Sequence, residues 1–417
     1  MKTSFKTCLL SLLFLALASC AGSDIFVKIP LDTFVLANPI AMTLTSNPPR
    51  LYIVNSNNTV IYEDSSLVVM DISDPVNPVF MSSVAIPNFS GQVVLDEARG
   101  FLYLPNRKSD NNGDKIDQVL RINIQEDSAN YLAVESFESG EDPFGASFEG
   151  EHLFVAAAGE VLRYNVNDLS RYSAVDLQFT SAQNSKFGED EVEEVRELSL
   201  SPSGAYLFVT NRIENMLILN VADINEPTQP GRNDLGNSAI DYVITGTSST
   251  RGITRDSQYL YVVEGNPSSL KIMTDLGLVP NAGAANEISS ASLQVAEIPL
   301  GGNPAEVLVD EAQQRAYVSN QRSDNISVID LQLKQEIDRI SIRTIFDEAN
   351  NNEEDFDNYD ETNFDRVLDN EDGDQPFAMM LFSFNDKTYL YVAHFRSNKI
   401  SIIDTETRKV IKILPSS

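Results

Sequence analysis

Two histidines, His152 and His394, and no tryptophan stand in a chain of 417 residues. Multi-copper and haem centres draw on several imidazoles, so this supply nearly excludes them. A Ser–His–Asp triad would have to use one of these two rings, and no Gly-x-Ser-x-Gly elbow is present. His394 closes the segment LYVAH, at the place where LYIVN, LYLPN, LFVTN and AYVSN put Asn55, Asn106, Asn211 and Asn320, and LYVVE puts Glu264. Amide, carboxylate and imidazole groups gathered around one opening can hold Ca²⁺ and a small ligand, because hard cations take oxygen donors. The alternative reading has each Asn bond the backbone across its own turn. A turn role predicts Asn in most of the segments, which is the pattern observed.

A second set of oxygen donors lies in 347–374, DEANNNEEDFDNYDETNFDRVLDNEDGD, where thirteen acids face Arg366 alone. Within it Asp369, Glu371, Asp372 and Asp374 alternate with Asn370 and Gly373 in the manner of a Ca²⁺ loop, without full EF-hand spacing. Asp110, Asn112 and Asp114 form a shorter echo. A solvated loop is the other reading of such runs. Phe356, Tyr359 and Phe364 set the long run apart from a purely solvating one.

The elements that must position these groups are short strands. AYVSNQRSDNISVID (316–330) and LYVAHFRSNKISIID (390–404) spell one phrase twice: two period-2 apolar runs joined by Arg-Ser-Asp or Arg-Ser-Asn, which are turn formers. Searching for its core strand finds seven copies, ending at Asn55, Asn106, Ala157, Asn211, Glu264, Asn320 and His394 at near-even intervals. The one long interval, before His394, holds the acidic run, which is therefore an insertion before the last unit. Each core strand has a lead-in: NPIAMTLTS, SGQVVLDEA, DPFGASFEG, VRELSLSPS, TRGITRDSQ, NPAEVLVDE and QPFAMMLFS. Followers such as SLVVMDISD, NISVIDLQ and KISIIDTE come next, and then a more variable fourth strand. Four strands per unit, with no long 3.6-residue period, predict an all-β chain: a seven-bladed β-propeller of four-stranded antiparallel blades. Asp24 to Ala37 is expected to clasp the ring by adding a strand to the blade that ends in KVIKILP.

LFVTN, AYVSN, GGNPAEVLVDEAQQR and GDQPFAMMLFSFNDK resemble the YVTN-repeat β-propeller family over nearly the whole chain from Asn38 to Pro415. The third and fifth units depart from its pattern, ending in Ala157 and Glu264. The family hosts many activities, so the resemblance implies a fold and leaves function to the site. Some seven-bladed relatives are lactonases. That implies an alternative reading, a Ca²⁺-assisted hydrolase site on the propeller axis, for which Glu264, Glu306, Arg322, His394 and Arg396 are the available polar residues.

Residues 1–19 carry Lys2, Lys6 and an apolar run too short to span a bilayer, as an export signal does. Leu17-Ala18-Ser19-Cys20 resembles the bacterial lipobox, which implies cleavage before Cys20 and its acylation. Ala21 after the cysteine resembles the outer-membrane sorting choice. Residues 20–23 then form the lipidated cysteine and tether, and 24–417 the propeller with its insertion at 347–374. Of the two cysteines, Cys8 leaves with the signal, so no disulfide remains within the mature chain. A net charge of −31 repels nucleic acid and anionic lipid, and equally suits solubility. The sequence thus predicts a lipid-anchored binding or scaffolding module for a protein or small ligand, without a nucleic-acid partner.

Overall fold

Consecutive residues of a strand point to opposite faces, and the second strand of the first repeat, Pro49–Asn55, shows where each face goes. Leu51 and Ile53 pack with Tyr391, Ile400 and Ile402 of the last repeat. Tyr52 and Val54 pack with Leu102, Leu104 and Leu120 of the second. A sheet apolar on both faces has to be sandwiched between copies of itself. The computed structural model, which describes residues 27–109, 115–177, 195–212, 215–224, 239–279, 286–342 and 374–415, shows seven such sheets. They span 39–86, 94–138, 146–176, 195–245, 250–299, 304–341 and 376–414.

Within each blade the strands pair antiparallel in chain order, and the lead-in strands of adjacent blades pack on one another. The lead-ins are therefore innermost, and the fold is a seven-bladed β-propeller. Blade 4 adds a fifth strand, Asn286–Ser289, which pairs parallel to Ile240–Thr245. One apolar cluster fills each of the seven blade interfaces. The second residue of the repeated phrase, Tyr52, Tyr103, Phe154, Phe208, Tyr261, Tyr317 and Tyr391, is fully buried in every blade. Burial of one such ring contributes about 1.5–3 kcal/mol, so the repeated aromatic is a packing residue.

The ring closes differently from the sequence expectation. Among the described residues no segment adds a strand to the last blade, whose four strands all come from 376–414. Residues 27–37 lie along blade 1 instead. Val27 bridges Tyr62 in parallel, Leu31 O accepts the Ser83 hydroxyl at 2.9 Å, and Phe34 and Leu36 enter the apolar seam between blades 7 and 1. The last blade completes its four strands from its own repeat, so its closure takes no strand from the N-terminal segment. Side chains make the seal: Asn38 Nδ2 donates to Phe395 O at 3.0 Å, and the Tyr391 hydroxyl donates to Pro75 O at 2.7 Å.

Candidate functional site

The strand-end residues are held at one level of the ring, and all six are buried. Asn55 Nδ2 donates to Val35 O and Ser66 Oγ at 3.1 and 2.9 Å, while its Oδ1 accepts Ala37 N. Asn106 Nδ2 donates to Asn88 O at 2.8 Å, and Asn320 Nδ2 to Asn325 Oδ1 and Ser327 Oγ, both at 2.8 Å. The backbone of Asn211 closes on Thr250 Oγ1. Glu264 pairs with Lys271 at 2.9 Å; burial pushes its carboxyl up, and Lys271 opposes the shift. His394 Nδ1 lies 3.6 Å from Asp374 Oδ1, and both residues are buried. These groups hold turns and blade connections, and none lines the cavity on the axis.

That cavity, about 400 Å³, opens where the lead-in strands begin. Two sets of backbone positions build it. The first is one aligned column of the lead-ins, the residue after Pro39, Ser90, Pro143, Val195, Thr250, Pro304 and Pro376: Ile40, Gly91, Phe144, Arg196, Arg251, Ala305 and Phe377, of which all but Gly91 line the wall. The second is the rim, the residue after the strand end, which includes Arg107, Arg212, Gln321 and Phe395; Arg322 follows Gln321. The rim is fixed by a recurrent bond. The residue two before this column takes positive φ at Asn38, Phe89, Asp142, Ser249, Asn303 and Gln375. This turns its carbonyl toward the rim in several blades. Phe89 O accepts Arg107 N at 3.1 Å, Asn303 O accepts Gln321 N at 3.1 Å, and Gln375 O accepts Phe395 N at 2.9 Å.

Five guanidinium groups thus line one cavity in a chain of 61 acids against 30 bases. Arg107 and Arg196 both lie over the Phe144 ring, at 5.3 and 5.0 Å from its centroid. Such cation–π contacts fix the planes of both groups. Arg107 also pairs with Asp142 at 3.3 Å. Ile40, Phe377 and Phe395 make the facing wall apolar, with the two Phe rings 6.1 Å apart. Planar guanidinium groups are suited to carboxylate and phosphate oxygens.

The floor is the next residue of each lead-in. Gln92, Glu197 and Glu306, from blades 2, 4 and 6, each accept a backbone N–H from the neighbouring lead-in. The donors are Ala146, Ile253 and Met379, at 3.3, 3.1 and 2.7 Å. Between them the receiving strands carry Gly145, Gly252 and Ala378. A side chain on Gly145 would meet Arg196 O at 2.0 Å, and one on Gly252 would meet Ala305 O at 2.5 Å. Burial drives the Glu197 carboxyl up to about 7, against its bonds to Ile253 N–H and Gln92 and the nearby Arg196 charge. Burial and the charge of Glu197 hold the Glu306 carboxyl well above the ordinary range.

The residues of the lactonase alternative are separated: Arg322 is on the wall, Glu306 in the floor, and Glu264 and His394 in their own buried pairs. Arg396 N donates to Asp374 O at 3.4 Å. Of the calcium candidates, Asp110, Asn112, Asp114, Asp369, Glu371 and Asp372 lie outside the described residues, and Asp374 sits against His394. Among the described residues no three His, Cys, Asp or Glu side chains group as metal ligands, and no helix is long and apolar enough to cross a membrane. Sequence reasoning missed Arg107, Arg196, Arg212 and Arg251. Their signal was present in register: Arg107 and Arg212 directly follow strand-end Asn residues, and Arg196 and Arg251 occupy the same column of the aligned lead-ins.

No protein-family model matches the chain, and no curated protein matches it in sequence. Solved structures match its fold. Hydrazine synthase of Kuenenia stuttgartiensis superposes with a TM-score of 0.56 at 17% identity, over 92% of this chain and 98% of that one. A candidate 6-phosphogluconolactonase from Bacteroides uniformis gives 0.50 at 14% identity, over 72% and 83%. The dihydro-heme d1 dehydrogenase NirN, solved in complex with DHE, gives 0.51 at 15% identity, over 93% and 66%. Identities this low establish the propeller and nothing finer.

Proposed function

We propose that the chain is an exported lipoprotein, acylated at Cys20 and anchored in the outer membrane, whose YVTN-type propeller binds a small ligand in the axial cavity. The observation that carries the binding reading is the cavity itself. Its volume falls in the range of small-molecule sites, and polar side chains converge on it from backbone positions locked by the blade repeat. Anchorage rests on the lipobox-like LASC and the short tether, since two or three acyl chains hold a protein on a bilayer. Metabolic labelling with a palmitate analogue tests the anchor: label on the wild type and none on Cys20→Ala is expected, and label on both refutes it. Native mass spectrometry of the chain purified gently from its own cells tests binding. A stoichiometric small adduct lost from a variant with a filled cavity, Ala305→Trp, is expected; an adduct retained by that variant places binding elsewhere.

A second reading, a lactonase-like hydrolase, has one observation in its favour. Glu197 lies on the cavity lining with a carboxyl near 7, in the range of a general acid or base. The fold shared with the Bacteroides uniformis protein is compatible with it. Turnover of a lactone panel, with and without Ca²⁺, that is lost in Glu197→Gln would establish this reading, and inactivity throughout would retire it.

A further inference from the structure

Resting on the acyl anchor at Cys20 proposed above, we infer that the outer edge of blade 1, with the adjoining outer strand of blade 7, docks on the phospholipid bilayer that holds the anchor. Among the described residues eleven large apolar side chains are exposed, and six belong to this one sector: Val27, Leu31, Ile61, Val79, Met81 and Ile411. Bonds on the surface tie them together. Val27 bridges Tyr62, the neighbour of Ile61, and Leu31 O accepts the hydroxyl of Ser83, on the strand Val79–Ile86 that carries Val79 and Met81. Across the seam Lys412 Nζ donates to Asn77 Oδ1 at 2.7 Å, which joins the strand of Ile411 to the turn before Val79. Single apolar residues are ordinary on a protein surface, whereas a run of them marks a contact.

Charge sets the same sector apart. Outermost strands are commonly guarded by charged side chains against stray pairing. In blades 2 to 6 each contains at least one Asp or Glu, such as Glu135, Glu297 and Asp338. That of blade 1, Val79–Ile86, contains no charge, and neither does the whole run 75–95. That of blade 7, Lys409–Leu414, has Lys409 and Lys412 and no acid. In a chain with 61 acids, two outer strands without any therefore flank one seam. Lys28, Asp32 and Glu63 are the charges at the tether end. Lipid phosphates repel carboxylates and attract lysines, each of which contributes about 1 kcal/mol near an anionic bilayer.

The tether says which surface this sector meets. Val27 lies seven residues past Cys20, a reach of at most about 25 Å, so the acyl chains lie within that distance of the exposed apolar residues. The outermost strand is the rim of the ring. Docking there stands the propeller on its edge and leaves the mouth of the axial cavity open to water.

The chain contains no tryptophan, so one introduced indole is a lone reporter. Met81→Trp, Ile61→Trp and Leu276→Trp, the last at an exposed turn of blade 5, are purified acylated from their own cells. Each is reconstituted into phosphatidylethanolamine and phosphatidylglycerol vesicles, with and without bromine on the acyl chains. Bromolipid should lower the emission of Met81→Trp and Ile61→Trp at least about threefold and that of Leu276→Trp by less than about a fifth. Adding Val79→Asp and Ile411→Asp to Met81→Trp should at least halve the quenching, about twofold or more. Full emission from all three reporters on chains that stay with the vesicles overturns the docking and leaves the anchor standing. Equal quenching of all three, Leu276→Trp included, overturns the choice of this face. A blue shift of Met81→Trp that grows with protein concentration and needs no vesicle gives the face to a second copy of the chain and overturns the bilayer. A wild-type chain that takes up no palmitate label and is not retained by vesicles sinks anchor and docking together.

Discussion

Two layers of the same channel, one residue apart on the same strands, follow opposite rules. The wall carries Ile40, Phe144, Arg196, Arg251, Ala305 and Phe377, with no chemical type in common. The floor alternates an acceptor that reaches across to the next blade, at Gln92, Glu197 and Glu306, with a residue too small to obstruct it, at Gly145, Gly252 and Ala378. With seven blades the alternation cannot close, and the small residues Ala378 and Ala41 both fall at the seam between the last and first blades. The difference separates the two kinds of constraint on a repeat protein. The floor answers to geometry shared by every blade, whereas the wall answers to whatever enters the cavity. Gly91 is the exception on the wall, since a side chain there would meet Phe144 O at 2.3 Å.

The sharpest way to break the comparison is at the floor. Gly145→Val sets a branched side chain against the backbone of Arg196, with its Cβ 2.0 Å from the carbonyl oxygen. Backbone of an inner strand cannot move without opening two blade interfaces. Overpacking of this kind costs about 3 kcal/mol or more, so thermal unfolding should show a large loss or no folded product. A variant with wild-type stability would mean that the lead-ins are not packed as closely as described.

The acceptors of the floor make a prediction of intermediate size. The Glu197 carboxyl stands at about 7 in the fold against an ordinary 4.5, so the folded chain favours the neutral acid. That contribution is complete below about pH 4.5 and is lost as the pH rises through about 7, on the order of 3 kcal/mol in all. Thermal stability should therefore fall between pH 5 and pH 8, and Glu197→Gln should flatten the fall. The amide keeps an oxygen for Ile253 N–H, as Gln92 does for Ala146 N–H at 3.3 Å. A steeper fall in the variant would show that the charged carboxylate is the form the fold prefers.

The blade repeat was legible because it is written in period-2 apolar runs and one buried aromatic per unit, which packing imposes in every copy. The strand-end Asn was legible for the same reason, although its partners prove to be linker carbonyls and hydroxyls such as Val35 O, Asn88 O and Ser327 Oγ. The arginine wall was not. Arg196 and Arg251 lie more than fifty residues apart in the chain, and only the packing of blade 5 on blade 4 makes them neighbours in one lining. The clasp failed for a related reason. An alternating segment such as DIFVKIPL specifies a strand-like run without naming its partner, and Val27 bridges the blade 1 turn at Tyr62 instead.

The smallest expected effect sharpens the comparison most, because it changes a residue beside one that cannot be changed. Arg251 and Gly252 are consecutive, the first on the wall and the second in the floor. Gly252→Ala adds one carbon 2.5 Å from Ala305 O and 2.8 Å from the Glu306 Cα, and should be clearly destabilising. Arg251→Gln removes a whole positive charge yet should shift stability by less than about 1 kcal/mol. It gives up the hydrogen bonds and charge pairing of the guanidinium and in return relieves repulsion from the other arginines around the cavity. Chemical denaturation of the two variants side by side decides the matter. Equal losses would mean that wall and floor form one structural unit, and that the arginines are there to hold the ring together, not to meet a ligand.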